Sequence, residues 1–146
     1  MRHASCGRYN VAMQKRAGDP EPDAADKDFF RRLRSELENE IAGYVYEVPA
    51  SAVGNPLQAD EVRALLNSMR LCLVEPRWEE VNVCNTREES WTGVGVKRMC
   101  VTMAEDESYA LVFDPADEQY HLAWRSEQGL GTWGVSGDGV GCFIAR

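Results

Sequence analysis

The spacing of apolar residues changes once along this chain, and that change limits the folds open to it. Before Pro76 the apolar positions recur at intervals of three and four; beyond it they alternate with polar ones. Residues share a helix face every 3.6 positions and a strand face every two, so a stretch patterned for one element does not suit the other. The chain therefore reads as helices first and strands after. That order makes an α+β domain, because a parallel α/β sheet needs strands and helices to alternate.

Phe29, Phe30, Leu33, Leu37 and Ile41 form one apolar stripe, which predicts a helix over 26–42. Asp23 or Asp26 can cap its start and Gly43 its end. Arg32–Glu36 and Arg34–Glu38 stand at i,i+4 on its solvated side. A second helix fits 58–71, burying Val62, Leu65, Leu66 and Met69, with Gln58 and Glu61 as an imperfect capping box. Between them, 44–48 reads as extended and stops at Pro49. Val81 and Val83 alternate with polar neighbours, and 92–103 predicts a long strand. Two aromatic, alternating runs, 109–113 and 120–124, flank Asp114-Pro115-Ala116-Asp117 and read as a hairpin. Trp133 and Val135 mark a last short strand, and Asp138 can cap a final helical turn through Ile144. The expected architecture is two N-terminal helices packed on one face of a C-terminal antiparallel β-meander.

A chain of 146 residues suits one domain. Residues 1–25, polar and broken by proline and glycine, read as a flexible N-terminal tail, with Met13 a second candidate start. Residues 26–146 read as the single domain. The tail also hides part of the chain's charge. Net charge is −8 overall, yet residues 21–146 hold 12 basic and 23 acidic groups, a net of −11. Such a field repels nucleic acid and anionic membrane, and it attracts cationic protein surfaces. Solubility alone is the plainer use of it.

Five cysteines, Cys6, Cys72, Cys84, Cys100 and Cys142, form neither a CxxC motif nor a cluster of zinc spacing. Three of them sit in apolar stretches as small hydrophobes, which points to a reducing compartment. With no apolar run long enough for a membrane span and no secretory signal, the expected location is the cytoplasm.

The chemistry-bearing residues make no recognisable active site. Gly129-Leu130-Gly131 and Gly137–Gly141 complete neither GxGxxG nor a P-loop and read as turns. Cys100 and His121 could meet in a sheet, but a nucleophilic thiol needs an activating, partly exposed setting, and Cys100 lies between Met99 and Val101. Neighbours on a strand face opposite ways, so Glu79-Glu80 and Glu88-Glu89 are not natural acid/base dyads. No catalytic, cofactor or metal residue is assigned, and the expected function is binding. Its candidate residues are the acidic groups Glu79, Glu80, Glu88, Glu89, Glu105, Asp106 and Glu107, which steer a basic partner if they share a face, together with Trp91. The alternatives are that each acid solvates a turn and that each tryptophan fills core.

The stretch 109–146, YALVFDPADEQYHLAWRSEQGLGTWGVSGDGVGCFIAR, resembles the C-terminal parts of small bacterial immunity proteins encoded beside polymorphic or type VI secreted toxins. Short strands, aromatic alternation and an acidic domain carry the resemblance. It implies a cytoplasmic, non-enzymatic inhibitor that blocks the active site of a cognate toxin, with a basic toxin such as a nuclease suiting an acidic inhibitor. A secretion chaperone or adaptor for an effector, and an enzyme of unrecognised type, are the other readings open to a small acidic α+β chain. Whether it acts as monomer or dimer stays open.

Overall fold

The first helix begins where the sequence places an acceptor for its free amides. In the computed structural model, which describes residues 23–48, 53–92 and 95–146, the Asp23 side chain accepts from the Asp26 amide at 2.8 Å. Helix α1 then runs Ala24–Gly43 and buries Phe30, Leu33, Leu37 and Ile41. Arg32–Glu36 and Arg34–Glu38 pair along its outer side at 3.8 and 2.7 Å. Helix α2, Ala59–Cys72, starts in a complete capping box, the Gln58 amide donating to the Glu61 carboxylate at 2.8 Å. Tyr44 is extended, and residues 44–48 join no sheet. Pro49, Met13 and the tail up to residue 22 lie outside the described residues.

Five strands follow: β1 (Leu73–Val83), β2 (Val96–Glu105), β3 (Tyr109–Asp114), β4 (Gln119–Ser126) and β5 (Gly129–Gly137). A short helix α3 (Arg87–Thr92) precedes β2, and α4 (Gly139–Ile144) ends the chain. The strand expected from 92 thus starts at Val96. Thr86 Oγ1 accepts from the Glu89 amide at 3.2 Å and Glu89 accepts from the Asn85 amide at 2.8 Å, which holds 87–92 as helix.

The open meander expected from the sequence is overturned: the strands close into a barrel in the order β1-β2-β3-β4-β5. Each consecutive pair is antiparallel. Four such reversals leave β5 running in the direction of β1, so closure has to be parallel. It is made at Val81↔Leu130 and Asn82↔Gly131. Closure removes the two edges that an open sheet would leave as templates for aggregation.

A barrel gives its strands two faces to bury, and the core divides accordingly. On the outside, Val101, Met103, Leu111, Tyr120 and Leu122 join Phe30, Leu33, Leu37, Ile41, Met69, Val140 and Phe143 of the helices in one cluster. Inside, Val81, Cys100, Ala110, Val112, Ala123 and Leu130 form a second. This accounts for the unbroken burial from Cys100 to Ala104 in β2. Five strands enclose little space, so small side chains fill the lumen.

Helix α4 seals one side of this assembly. Asp138 caps it by accepting from the Gly141 amide at 2.9 Å, and Glu40 of α1 accepts from the Val140 amide at 2.8 Å. Burial pushes the Glu40 carboxyl above its ordinary value, and the Val140 amide offsets part of that rise. Gly139 lies so close to α1 that a Cβ there would sit 2.6 Å from Leu37 Cδ1.

Gly134 in β5 is constrained twice. Its φ is +94°, and a Cβ would lie 2.7 Å from the Asn85 carbonyl oxygen. Gly134→Ala is expected to cost about 1–3 kcal/mol, read as a lower denaturant midpoint. An unchanged midpoint would show that β5 does not pass that close to Asn85.

Candidate functional site

Inward-facing positions of the strands turn polar at both barrel ends. Register fixes which residues these are. Arg77 pairs with Thr102 and Glu79 with Cys100; Glu105 pairs with Ala110 and Arg125 with Leu130. Cys100, Ala110 and Leu130 line the lumen, so Arg77, Glu79, Glu105 and Arg125 point the same way. They meet in a ring of alternating charge. Arg77 Nη2 lies 2.7 Å from both Glu79 Oε1 and Glu105 Oε2. Arg125 Nη2 lies 3.3 and 2.9 Å from the same two atoms. Thr102 Oγ1 donates to Glu79 Oε1 at 2.8 Å. Burial alone would raise the Glu79 carboxyl; the Arg125 hydrogen bond, the Arg77 charge and the Thr102 hydroxyl outweigh it and hold the group below its ordinary value.

The opposite end is built on the β3–β4 hairpin. Asp114, whose side chain is 1% exposed, takes an ion pair from Arg98 at 2.7 Å and the Ala116 amide at 2.9 Å. Asp117 accepts from the Gln119 amide at 3.0 Å and contacts His121 Nε2 at 2.8 Å. Oxygen and nitrogen atoms of Asp114, Asp117 and His121 lie within 4.8 Å of one another, the residue types and spacing from which a divalent metal site can be made. Arg98 already pairs with the Asp114 carboxylate at this end. Burial is also the main reason the Cys100 thiol is pushed up to about 12, with Asp114 adding to the rise. Cys100 and His121 do both line the lumen side of their strands, but a thiol so raised stays protonated at neutral pH and is a poor nucleophile.

The acidic residues singled out in the sequence do not gather on one face. Glu79 and Glu105 come together, inside the barrel end and across from two arginines. Glu80 points outward from β1 and pairs with Lys97 at 3.4 Å. Glu88 and Glu89 occupy the first turn of α3. Asp106 is engaged by the Ser108 and Tyr109 amides at 2.9 and 2.8 Å and by Arg146. Glu107 is exposed in the β2–β3 turn. Trp91 lies in α3, and its side chain is outside the described residues. Trp78 packs in the outer core against Phe29 and Phe30, with ring centroids 6.0 and 5.6 Å away.

Sequence reasoning passed over Arg77 and Arg125. An Arg-x-Glu followed by Val81 looks like the polar face of a strand, and only register brings it to Glu105 and Arg125. It singled out Trp91 among the tryptophans, whereas Trp124 is 41% exposed. A groove of about 330 Å³ between α1 and α2 is lined by Arg34, Glu38, Ile41, Arg70 and Leu73. Its arginines are already engaged, Arg34 by Glu38 and the Val74 carbonyl and Arg70 by Asn67. Among the described residues no helix is long and apolar enough to cross a membrane. No family model matches the chain, and neither a curated protein nor a solved structure matches it.

Proposed function

We propose that this chain is a binding protein for a basic protein partner, acting as an immunity protein that seats on a cationic secreted toxin and blocks its active site. The observation that carries the reading is where the arginines go. Arg77, Arg98, Arg125 and Arg146 are spent on Glu79, Glu105, Asp114 and Asp106 inside or at the ends of the barrel. With those eight groups set aside, residues 23–146 keep 18 acidic and eight basic side chains. The net of these residues stays at −10, carried by acids that outnumber the remaining basic groups by more than two to one. A field of that sign attracts a cationic cleft such as a nuclease uses for phosphates, and it speeds encounter. The filled lumen supports the same reading, because it leaves the outer surface to carry recognition.

Co-expression with the product of the adjacent gene tests the proposal. The expected result is that a growth arrest caused by that product alone is relieved, and that the two proteins co-purify. Arrest that persists at equal expression, with no complex formed, overturns it.

A further inference from the structure

Trp124 stands 41% exposed on the outer wall of the barrel. Trp124 points outward from β4, opposite Tyr109 of β3 on one side and Gly131 of β5 on the other. Gly131 has no side chain to cover the indole. Tyr109 is half-buried, and its ring lies 5.9 Å from that of Trp133, also half-buried and on the outward phase of β5. Tyr109 and Trp133 pack against the outer core, and Trp124, beside Tyr109 in register, is the exposed ring of the three. Exposed aromatic area of this kind is what interface hot spots are made of.

Two acids stand at its rim. The Arg125 amide donates to the Ser108 carbonyl at 2.8 Å, which clamps the β2–β3 turn against the strand that carries Trp124. That contact places exposed Glu107 beside the patch. Exposed Glu127 follows in the β4–β5 turn, three residues after Trp124. The nearby cations Arg125 and Arg146 are held in ion pairs with Glu79, Glu105 and Asp106.

We infer that this face is the docking surface, and that its occupant is an arginine-bearing loop of the basic partner. The inference rests on the binding reading above and gives it an address. A guanidinium lies flat on an indole or phenol face and keeps its edge for carboxylates, so rings bordered by Glu107 and Glu127 suit arginine better than lysine. Lysine is a more strongly hydrated point charge and gives up more on leaving water.

The test uses the full chain, fluorescein-labelled octa-arginine and octa-lysine peptides, and fluorescence anisotropy. Octa-arginine is expected to bind more tightly than octa-lysine. Trp124→Ala is expected to weaken octa-arginine binding about tenfold, the effect of losing one hot-spot aromatic. A double charge reversal, Glu107→Arg with Glu127→Arg, is expected to weaken it at least as much; these sites lie on exposed turns, so folding is spared. Glu118→Arg, on the β3–β4 turn at the end of β4 away from Trp124, should leave binding within about twofold, as remote surface charges do in screened solution. Equal binding to wild type, Trp124→Ala and the double reversal would overturn the address while leaving the basic-partner reading intact. No binding to wild type would overturn the inference and count against that reading as well. A concentration-dependent dimer in sedimentation, lost in Trp124→Ala, would assign the face to a second copy of the chain instead.

Discussion

Glu79→Ala is expected to be among the most destabilising single changes at any charged position of this protein. The carboxylate is four-fifths buried and serves Arg77, Arg125 and Thr102 at once. Removing it leaves two guanidiniums facing each other at the barrel end with only Glu105 between them. Breaking a buried pair from one side costs about 3–5 kcal/mol, and the partial exposure of this ring lowers the expectation to about 2–4 kcal/mol. Glu80→Ala, one residue along and on the outer face, should lie within about 0.5 kcal/mol of wild type. The pH dependence has a definite sign. The folded-state value of Glu79 is depressed, so its contribution is present above the ordinary carboxylate range and is lost as pH falls through the depressed value. Urea midpoints followed from pH 7 into acid should therefore converge for wild type and Glu79→Ala. Parallel curves down to the lowest pH would show that the ring is not held by ionised Glu79.

Leu37→Ala is expected to cost a further large amount by a different route. Leu37 is 1% exposed, sits in the cluster between α1 and the outer barrel wall, and forms the surface on which Gly139 of α4 rests. A cavity there cannot be closed by α4 alone, since Glu40 and the Val140 amide hold that helix in place. The expected loss is about 2–5 kcal/mol, a large share of the 5–15 kcal/mol by which domains are stable. Leu71→Ala is the contrast, for Leu71 is 76% exposed on α2 and should move the midpoint little. Equal losses at the two leucines, measured by denaturant unfolding, would contradict the packing of α1 on the barrel.

What was legible in the sequence follows from the range of the interactions involved. The stripe of α1, the Gln58–Glu61 box of α2, the hairpin around Asp114–Asp117 and the Asp138 cap are local signals, and each element forms where its signal lies. Helix α3 had such a signal too, for Thr86-Arg87-Glu88-Glu89 fits a capping box, yet the sequence reading placed no element before the strand expected from residue 92. Closure of the barrel is not local. Val81 meets Leu130 across nearly fifty residues, and an alternating strand looks alike in an open sheet and in a barrel wall. The hint lay in the second phase of the alternation, where Cys100, Ala110, Ala123 and Thr132 are small instead of charged. The candidate site suffered in the same way. Acids that look available in sequence, Glu79, Glu105 and Asp106, are held by arginines from other strands or from the C-terminus. Trp124 resembled its buried neighbours because burial depends on which part of the wall the helices cover.

The central claim is that the surface charge left by the inward-turned arginines recruits a basic protein. Its most direct test is the affinity of the full chain for the product of the adjacent gene, measured by calorimetry as ionic strength rises. The account predicts an affinity that falls by about tenfold or more between low and high salt as the acidic surface is screened. An affinity that stays level across the same range, or the absence of any complex at low salt, would contradict it.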